Sequence, residues 1–190
     1  MRPESPGITE IAPAFPKTPL HRMFLTPPTT LQHISRVASG VHRVLLLPIL
    51  RCYQYTAIDD ATRIRALKIY QRHNQKSSID FIDYVFEKFP FRIHTVRTDR
   101  GHEWQAQFHW HVEDQGIRHV YIKPRSPQLN GKVERSHRTD QEEFYQLLTY
   151  TDDVDLNVKL AAWESFYNLN RPHGAHGGKT PYEALKCMLG

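Results

Sequence analysis

Two acidic residues, Asp99 and Glu134, stand 35 positions apart among basic, amide and glycine residues rather than among other acids. Carboxylate oxygens are the ligands that Mg²⁺ and Mn²⁺ prefer, and two such ions held about 3.5–4 Å apart catalyse phosphodiester displacement. Basic surroundings suit a phosphate-backbone substrate. The pair therefore predicts a metal site that acts on nucleic acid, whereas either acid taken alone is more typical of a turn or an ion pair.

The elements around these two acids are arranged so that both can reach one edge of a sheet. Residue patterns predict, in order, a strand, a short helix, a second strand and a longer helix: Phe91–Val96, Trp104–Gln115, His119–Ile122 and Val133–Leu148. Asp99 then follows the carboxyl end of a strand, where ligands bind in open α/β sheets. Glu134 lies in the first turn of the longer helix, and we expect the two side chains to converge.

The rest of the chain from residue 52 supplies further pieces of the same α/β layout. Two strands, Tyr53–Ile58 and Ile64–Tyr70, form a predicted hairpin, and a helix over Lys76–Phe89 follows, capped by Ser77 or Ser78. Two more helices are predicted near the end, over Leu156–Tyr167 and Pro181–Met188. This order predicts a mixed sheet flanked by helices.

The first 50 residues differ in character from the rest. They contain eight of the chain's 13 prolines, and no acid occurs between Glu10 and Asp59. Proline at this density removes backbone donors and interrupts regular elements. We therefore predict that residues 1–40 are a poorly ordered segment and that residues 41–190 form the domain, with an incomplete first strand.

Basic residues are concentrated close to the two acids. Between Arg118 and Arg138 there are six Lys and Arg residues against one acid, and the whole chain has a net charge of +5. Such a patch is the usual footprint of nucleic-acid binding. The predicted DNA-binding residues are Lys123, Arg125, Ser126, Asn130, Lys132, Arg135 and Arg138. The alternative is a solvated helix face on which Arg135 and Arg138 pair with Glu134.

Several other classes of protein are disfavoured. The longest apolar run, Val44–Leu50, is interrupted by Pro48 and is far shorter than the roughly 20 residues of a membrane helix. No secretory signal is recognisable, and two distant cysteines suit a reducing compartment, so we expect a cytoplasmic, nucleoid-associated protein without a membrane partner. Zinc is disfavoured because the neighbouring His109 and His111 would point apart on a helix.

Five short motifs, in order along the chain, carry a resemblance to a known family. They are Ala57–Arg63, the Thr98-Asp99-x-Gly101-x-Glu103 run, Pro124–Arg135, Phe166–His173 and Lys179–Leu185. The stretch from Tyr53 to Leu185 resembles the integrase catalytic core (DDE type) of bacterial insertion-sequence transposases, relatives of retroviral integrases with an RNase H-like fold. The resemblance implies Mg²⁺- or Mn²⁺-dependent cutting and joining of DNA. Asp99 and Glu134 would be the second and third acids of its site.

The chain departs from the family pattern at its first acid. The family carries an aspartate on the opening strand, expected here near Val41–Leu47, where the chain reads Leu45-Leu46-Leu47-Pro48. Asp59 and Asp60 are expected to shape a turn and pair with Arg63 rather than replace it.

Two residues near Asp99 in the sequence, Arg100 and Glu103, have expected roles of their own. Glu103 is expected to be a helix-start residue, with a metal-binding role as the alternative. Arg100 stands where the family usually has asparagine, and it should favour the ionised form of Asp99.

Two functions from different classes follow. The first is DNA integration or transposition, with metal-dependent strand cleavage and transfer impaired by the missing first aspartate. Its partners would be transposon ends, target DNA and further copies of the chain. The alternative is a non-catalytic DNA-binding or dimerisation remnant of a transposase. A general RNA–DNA hybrid nuclease fits the fold but not the Asn130-Gly131-Lys132 run.

Overall fold

The computed structural model describes residues 21–32, 51–122, 135–146 and 153–190, which form one five-stranded sheet with helices on both faces. The strands are β1 His21–Gln32, β2 Arg51–Asp59, β3 Arg65–Tyr70, β4 Ile93–Thr98 and β5 Arg118–Tyr121. Their order across the sheet is β3-β2-β1-β4-β5. β1 pairs antiparallel with β2 and parallel with β4, while β2–β3 is antiparallel and β4–β5 is parallel. The predicted mixed sheet is confirmed.

The helices pack on the sheet in two layers. They are α1 Gln75–Lys88, α2 Gln107–Asp114, α3 over residues 135–140, α4 Asp153–Leu169 and α5 Pro181–Leu189. A 3₁₀ turn, His102–Trp104, precedes α2, and a π turn, Gln141–Tyr145, continues α3. Another 3₁₀ turn, Gly174–His176, lies before α5.

Alternate residues of the strands feed two apolar cores because successive side chains of a strand point to opposite faces. Ala66 belongs to the core that α1 and α2 cover, whereas its neighbour Leu67 belongs to the core under α4. The first core is closed by Phe81, Trp104, Phe108 and Val112, and the second by Phe144, Leu156, Leu160 and Trp163.

The opening strand lies earlier in the chain than the sequence pattern indicated. β1 occupies His21–Gln32, so the sheet begins before residue 41, and the expected strand at Val41–Leu47 lies outside the described residues. Pro27 and Pro28 fall where the β1–β2 register shifts, between Thr26 and Thr29. The pairing with β4 covers only His21–Phe24, so both prolines lie beyond the part of β1 that is paired on both sides. A bulge on a strand paired on one side tolerates proline, which is why proline density was misleading here.

Two local predictions also need correction. The N-cap of α1 is Asn74, whose side-chain oxygen accepts a hydrogen bond of 3.0 Å from the Ser77 backbone N–H, so neither Ser77 nor Ser78 is the cap. The helix predicted over Trp104–Gln115 is divided, because Ala106 has a φ of 42° between the 3₁₀ turn and α2. A non-glycine residue in that region ends regular helix.

Candidate active site

Asp99 immediately follows β4 and lies at the carboxyl edge of the sheet, as its position after a predicted strand indicated. Its Oδ1 atom accepts a hydrogen bond of 3.0 Å from the Gly101 N–H. Burial raises the pKa of Asp99 above the ordinary aspartate value, and the charge of Glu103 adds to that rise. The Gly101 hydrogen bond and His73 oppose it. Asp99 is therefore a half-buried carboxylate that lacks a strong balancing cation among its described neighbours.

Burial, and not Arg100, dominates the pKa of Asp99, so the expectation that Arg100 favours ionised Asp99 stays a prediction. The Arg100 side chain is exposed, and the pKa of Asp99 rises despite its proximity in sequence. The Arg100 backbone carbonyl accepts a hydrogen bond of 2.9 Å from Gln105 Nε2. Its side chain instead lines an open groove of about 400 Å³ together with Gln105, Ala106 and Tyr121.

Glu103 is packed directly against Gly101. A Cβ atom built on residue 101 would lie 2.4 Å from Glu103 Oε2, closer than any real contact. Glu103 is 1% exposed, and its Oε1 lies 2.9 Å from His73 Nε2. A side chain at residue 101 would therefore meet the buried Glu103 carboxylate, which would have to shift. Glu103 does lie in a helical first turn, as predicted, but the sequence pattern did not reveal its contact with His73.

Asp59 and Asp60 shape the turn after β2, as expected. Asp59 Oδ2 accepts hydrogen bonds from the backbone N–H and the hydroxyl of Thr62, at 2.8 and 2.7 Å. The same oxygen lies 3.2 Å from His21 Nδ1, and Asp59 is fully buried. Asp60 pairs with Arg63 at 3.3 Å. Both carboxylates are thus engaged in holding the turn.

The strand beside β4 brings no acid to this edge. β1 reads His-Arg-Met-Phe-Leu-Thr-Pro-Pro-Thr-Thr-Leu-Gln, and Phe24 is the register partner of Arg97, two residues before Asp99. The stretch Leu45–Leu47, where we expected the opening strand to lack its aspartate, lies outside the described residues.

Glu134, the second predicted metal ligand, also lies outside the described residues. So do five predicted DNA-binding residues: Lys123, Arg125, Ser126, Asn130 and Lys132. Arg135 and Arg138 are described, and both are exposed on α3. Neither forms an ion pair with an acid in the described part of the chain.

A buried polar network fixes α3 against the sheet. Arg65 on β3 is 0% exposed and donates to Ser136 Oγ at 2.8 Å and to Asp140 Oδ1 at 2.9 Å. Asp140 also accepts hydrogen bonds from Gln54 Nε2 at 2.9 Å and Trp163 Nε1 at 2.8 Å. Ser136 and Asp140 are four residues apart and share the inner face of α3, so the exposed Arg135 and Arg138 point away from the core.

The described residues supply only part of a two-ion magnesium site. Such a site needs converging carboxylates, and Asp99 is the predicted ligand that the structure describes. The negative charge of Glu103 helps to raise the pKa of Asp99, but the Glu103 carboxylate is directed towards His73. The half-buried, unneutralised carboxylate of Asp99 suits a cation, but one carboxylate alone does not complete the ligand set of two ions.

Comparison with known proteins identifies the kind of domain. Residues 115–181 match the integrase core domain family. The chain resembles integrase catalytic cores. It is 28% identical over 153 residues to the ORF3 protein of Spiroplasma virus SpV1-C74, which is named as an integrase, with 72% of this chain and 42% of that protein covered. It is 25% identical to an uncharacterised 39.2 kDa protein of insertion element IS476 from Xanthomonas euvesicatoria, with 68% of this chain and 41% of that protein covered. The integrase-core-like chain thus spans about two fifths of the length of these relatives.

Solved structures confirm the RNase H-like fold. The catalytic core domain of BIV integrase matches with a TM-score of 0.60 and 17% identity, over 86% of this chain and 93% of that one. The HTLV-2 integrase catalytic core in complex with magnesium, in a dimeric form, matches with a TM-score of 0.63 and 12% identity, over 87% and 97%. Among the described residues of the integrase-core-like chain, no helix is both long and apolar enough to span a bilayer.

Proposed function

We propose that this chain is a DNA-binding integrase core of transposase descent, in which metal-dependent strand cleavage and transfer are impaired. The observation that carries the proposal is the position of Asp99, directly after β4 in a sheet of order β3-β2-β1-β4-β5. That edge is where ligands bind in α/β sheets. The parent activity would be attack of water, and then of a DNA 3′-hydroxyl, on phosphodiesters.

Asp99 and Glu134 are the residues that would hold Mg²⁺ or Mn²⁺ in this proposal. Bound magnesium would polarise a phosphate oxygen and stabilise developing charge. The impairment follows from the sequence of β1, which offers no carboxylate beside β4. With two acids instead of three, the ions would be held loosely.

Exposed basic residues would hold the DNA backbone in this proposal. Arg135 and Arg138 are exposed on α3, and Arg100, which follows Asp99 in the chain, lines an open groove. The predicted loop residues Lys123, Arg125, Ser126, Asn130 and Lys132 would extend this surface. Contacts of this kind position DNA without reading its sequence. The partners would be transposon ends and target DNA, in a nucleoid-associated, cytoplasmic setting.

Assembly into a homo-oligomer is part of the same proposal. The solved HTLV-2 cores that match this chain are described in dimeric and trimeric forms. Light scattering on the purified chain across a concentration series measures its mass directly. A monomer at every concentration, with and without DNA, contradicts this part of the proposal.

A nicking assay on supercoiled plasmid tests the activity. The chain is incubated with Mg²⁺ or Mn²⁺, beside Asp99→Asn, Glu134→Gln and the surface control Asp83→Asn. We expect weak metal-dependent nicking that Asp99→Asn and Glu134→Gln abolish and Asp83→Asn retains. Salt-sensitive DNA binding without any nicking supports the second candidate, a non-catalytic remnant, which the acid-free β1 favours. Nicking that survives both active-site changes contradicts the assigned residues.

A further inference from the structure

Three metal-binding groups meet beside Asp99 without belonging to the Asp99–Glu134 pair. His73 lies between β3 and α1, and His102 and Glu103 lie in the 3₁₀ turn after β4. One ligand atom from each lies within 4.8 Å of the other two. His73 Nε2 is 2.9 Å from Glu103 Oε1, and His102 Nδ1 is 3.4 Å from Glu103 Oε2. Ligand atoms of a tetrahedral zinc ion with bonds of about 2.0–2.1 Å lie about 3.3 Å apart.

The orientation of His102 leaves a lone pair facing Glu103. His102 Nε2 lies 3.4 Å from the backbone carbonyl oxygen of His73. A carbonyl only accepts, so Nε2 must carry the proton. In neutral His102 the Nδ1 atom is then an acceptor that faces a carboxylate oxygen. The two facing atoms therefore need either a proton on Nδ1, which makes His102 an imidazolium, or a metal ion between them. The hydrogen bond from Nε2 is also the kind that orients histidine ligands in metal sites.

Glu103 adds an independent indication, because its carboxylate is buried with one oxygen unsatisfied. The residue is 1% exposed, and Oε2 receives no hydrogen bond from any described residue. Burying a carboxylate is costly unless it is paired or coordinates a metal. The close approach to Gly101 holds this oxygen in place, directed towards His102.

We propose that His73, His102 and Glu103 bind one divalent transition-metal ion, with Zn²⁺ as the favoured ion. Two imidazoles and a carboxylate suit zinc, whereas magnesium prefers oxygen ligands. Three protein ligands leave a fourth position for water, and the exposed His102 keeps the site open to solvent. The ion would tie the loop before α1 to the turn that follows Asp99, and so restrain the loop that carries that residue.

Cobalt titration of the full chain tests the site, because tetrahedral or five-coordinate Co²⁺ gives a visible absorption band. We expect one Co²⁺ per chain, displaced by Zn²⁺ and not by excess Mg²⁺. Even the loss of an outer hydrogen-bond partner weakens metal sites by about 10–100-fold. The ligand variants His102→Ala and Glu103→Gln should therefore each weaken binding by at least about tenfold.

The chain provides a matched control. His111 Nε2 lies 2.6 Å from Asp83 Oδ1, which is a histidine–carboxylate pair without a third ligand. His111→Ala should leave the Co²⁺ isotherm unchanged, and Asp99→Asn should still bind, which separates this site from the proposed magnesium site. Because the chain has 12 histidines, the test depends on the difference in Co²⁺ binding between variants and not on Co²⁺ binding by the wild type alone.

Three results would overturn the proposal. They are the absence of a Co²⁺ band, equal isotherms for wild type, His102→Ala and His111→Ala, and displacement of Co²⁺ by Mg²⁺. The three residues would then be a hydrogen-bonded cluster only. His102 is 70% exposed, so His102→Ala decides the question even where Glu103→Gln fails to fold.

Discussion

The Arg65 guanidinium and the Asp140 carboxylate form an ion pair of 2.9 Å in which the two side chains are 0% and 3% exposed. The pair joins β3 to α3, and Arg65 also lies 3.3 Å above the centre of the Tyr167 ring on α4. The helix that carries Arg135 and Arg138 is thus fixed by a buried charge.

Replacement of Asp140 by asparagine should strongly destabilise the fold. The change leaves the buried Arg65 charge without its counter-ion, and breaking a buried pair costs about 3–5 kcal/mol. Urea unfolding followed by tryptophan fluorescence measures the loss. Asp80→Asn is the matched control, because the Lys68–Asp80 pair of 2.7 Å is exposed and should contribute less than about 1 kcal/mol. Equal losses for the two variants would mean that burial is not what makes Arg65–Asp140 important.

Gly101→Ala should displace the Glu103 carboxylate, since the new methyl group would lie 2.4 Å from Oε2. Overpacking of this kind costs roughly 1–3 kcal/mol. The same change in a Glu103→Ala background removes the clash, so it should cost much less there. A double-mutant cycle of unfolding free energies gives the coupling. Strict additivity would show that residues 101 and 103 do not touch in solution.

The free energy of unfolding should fall as the pH drops from 7 to 5. Burial lowers the pKa of both His119 and His173 to about 4, and His109 adds to the effect at His119. In unfolded chains the histidine pKa is about 6.5. Between the two values the unfolded state binds more protons, so acidification favours it, by about 2 kcal/mol for each histidine at pH 5. The loss should level off below about pH 4.

Urea unfolding at a series of pH values measures this slope. His119→Asn should remove about half of the pH dependence of the unfolding free energy that is due to His119 and His173. His94→Asn, at an exposed position, should leave the slope unchanged. A slope that His119→Asn does not alter would mean that His119 titrates normally in the folded chain.

DNA binding should become less salt-dependent when α3 loses a charge. Each phosphate contact contributes a slope of about −0.9 to log K against log salt. Arg138→Gln should reduce the slope by about that amount, with a similar effect for Arg135→Gln. Arg92→Gln, an exposed arginine outside the basic stretch, is the charge-matched control for fluorescence anisotropy titrations. Equal effects at Arg92 and Arg138 would indicate diffuse attraction rather than a binding surface on α3.

The sheet from β2 onwards was predictable because the apolar residues follow periods of two and 3.6 residues. β1 was not predictable, since Pro27 and Pro28 interrupt the sequence pattern of a strand. The bulge and the one-sided pairing of β1 accommodate both prolines. The break at Ala106 was equally hidden, because alanine normally favours helix and carries no signal for a positive φ.

The location of Asp99 followed from a strand ending just before it, although its chemical role remains a prediction. The His73–Glu103 contact joins residues 30 positions apart on separate loops, and no local periodicity reports such a contact. The one signal in the sequence was Gly101, two residues before an acid. The structure shows that the glycine makes room for that acid.

β1 joins the β2–β3 hairpin to the parallel pair β4–β5. A fragment begun at residue 41 would lack the middle of its sheet, and the strands on either side would each present an open row of backbone donors and acceptors. Such edges recruit strands from other chains. β1, which lies within the segment that composition predicts to be poorly ordered, therefore also covers both of these edges.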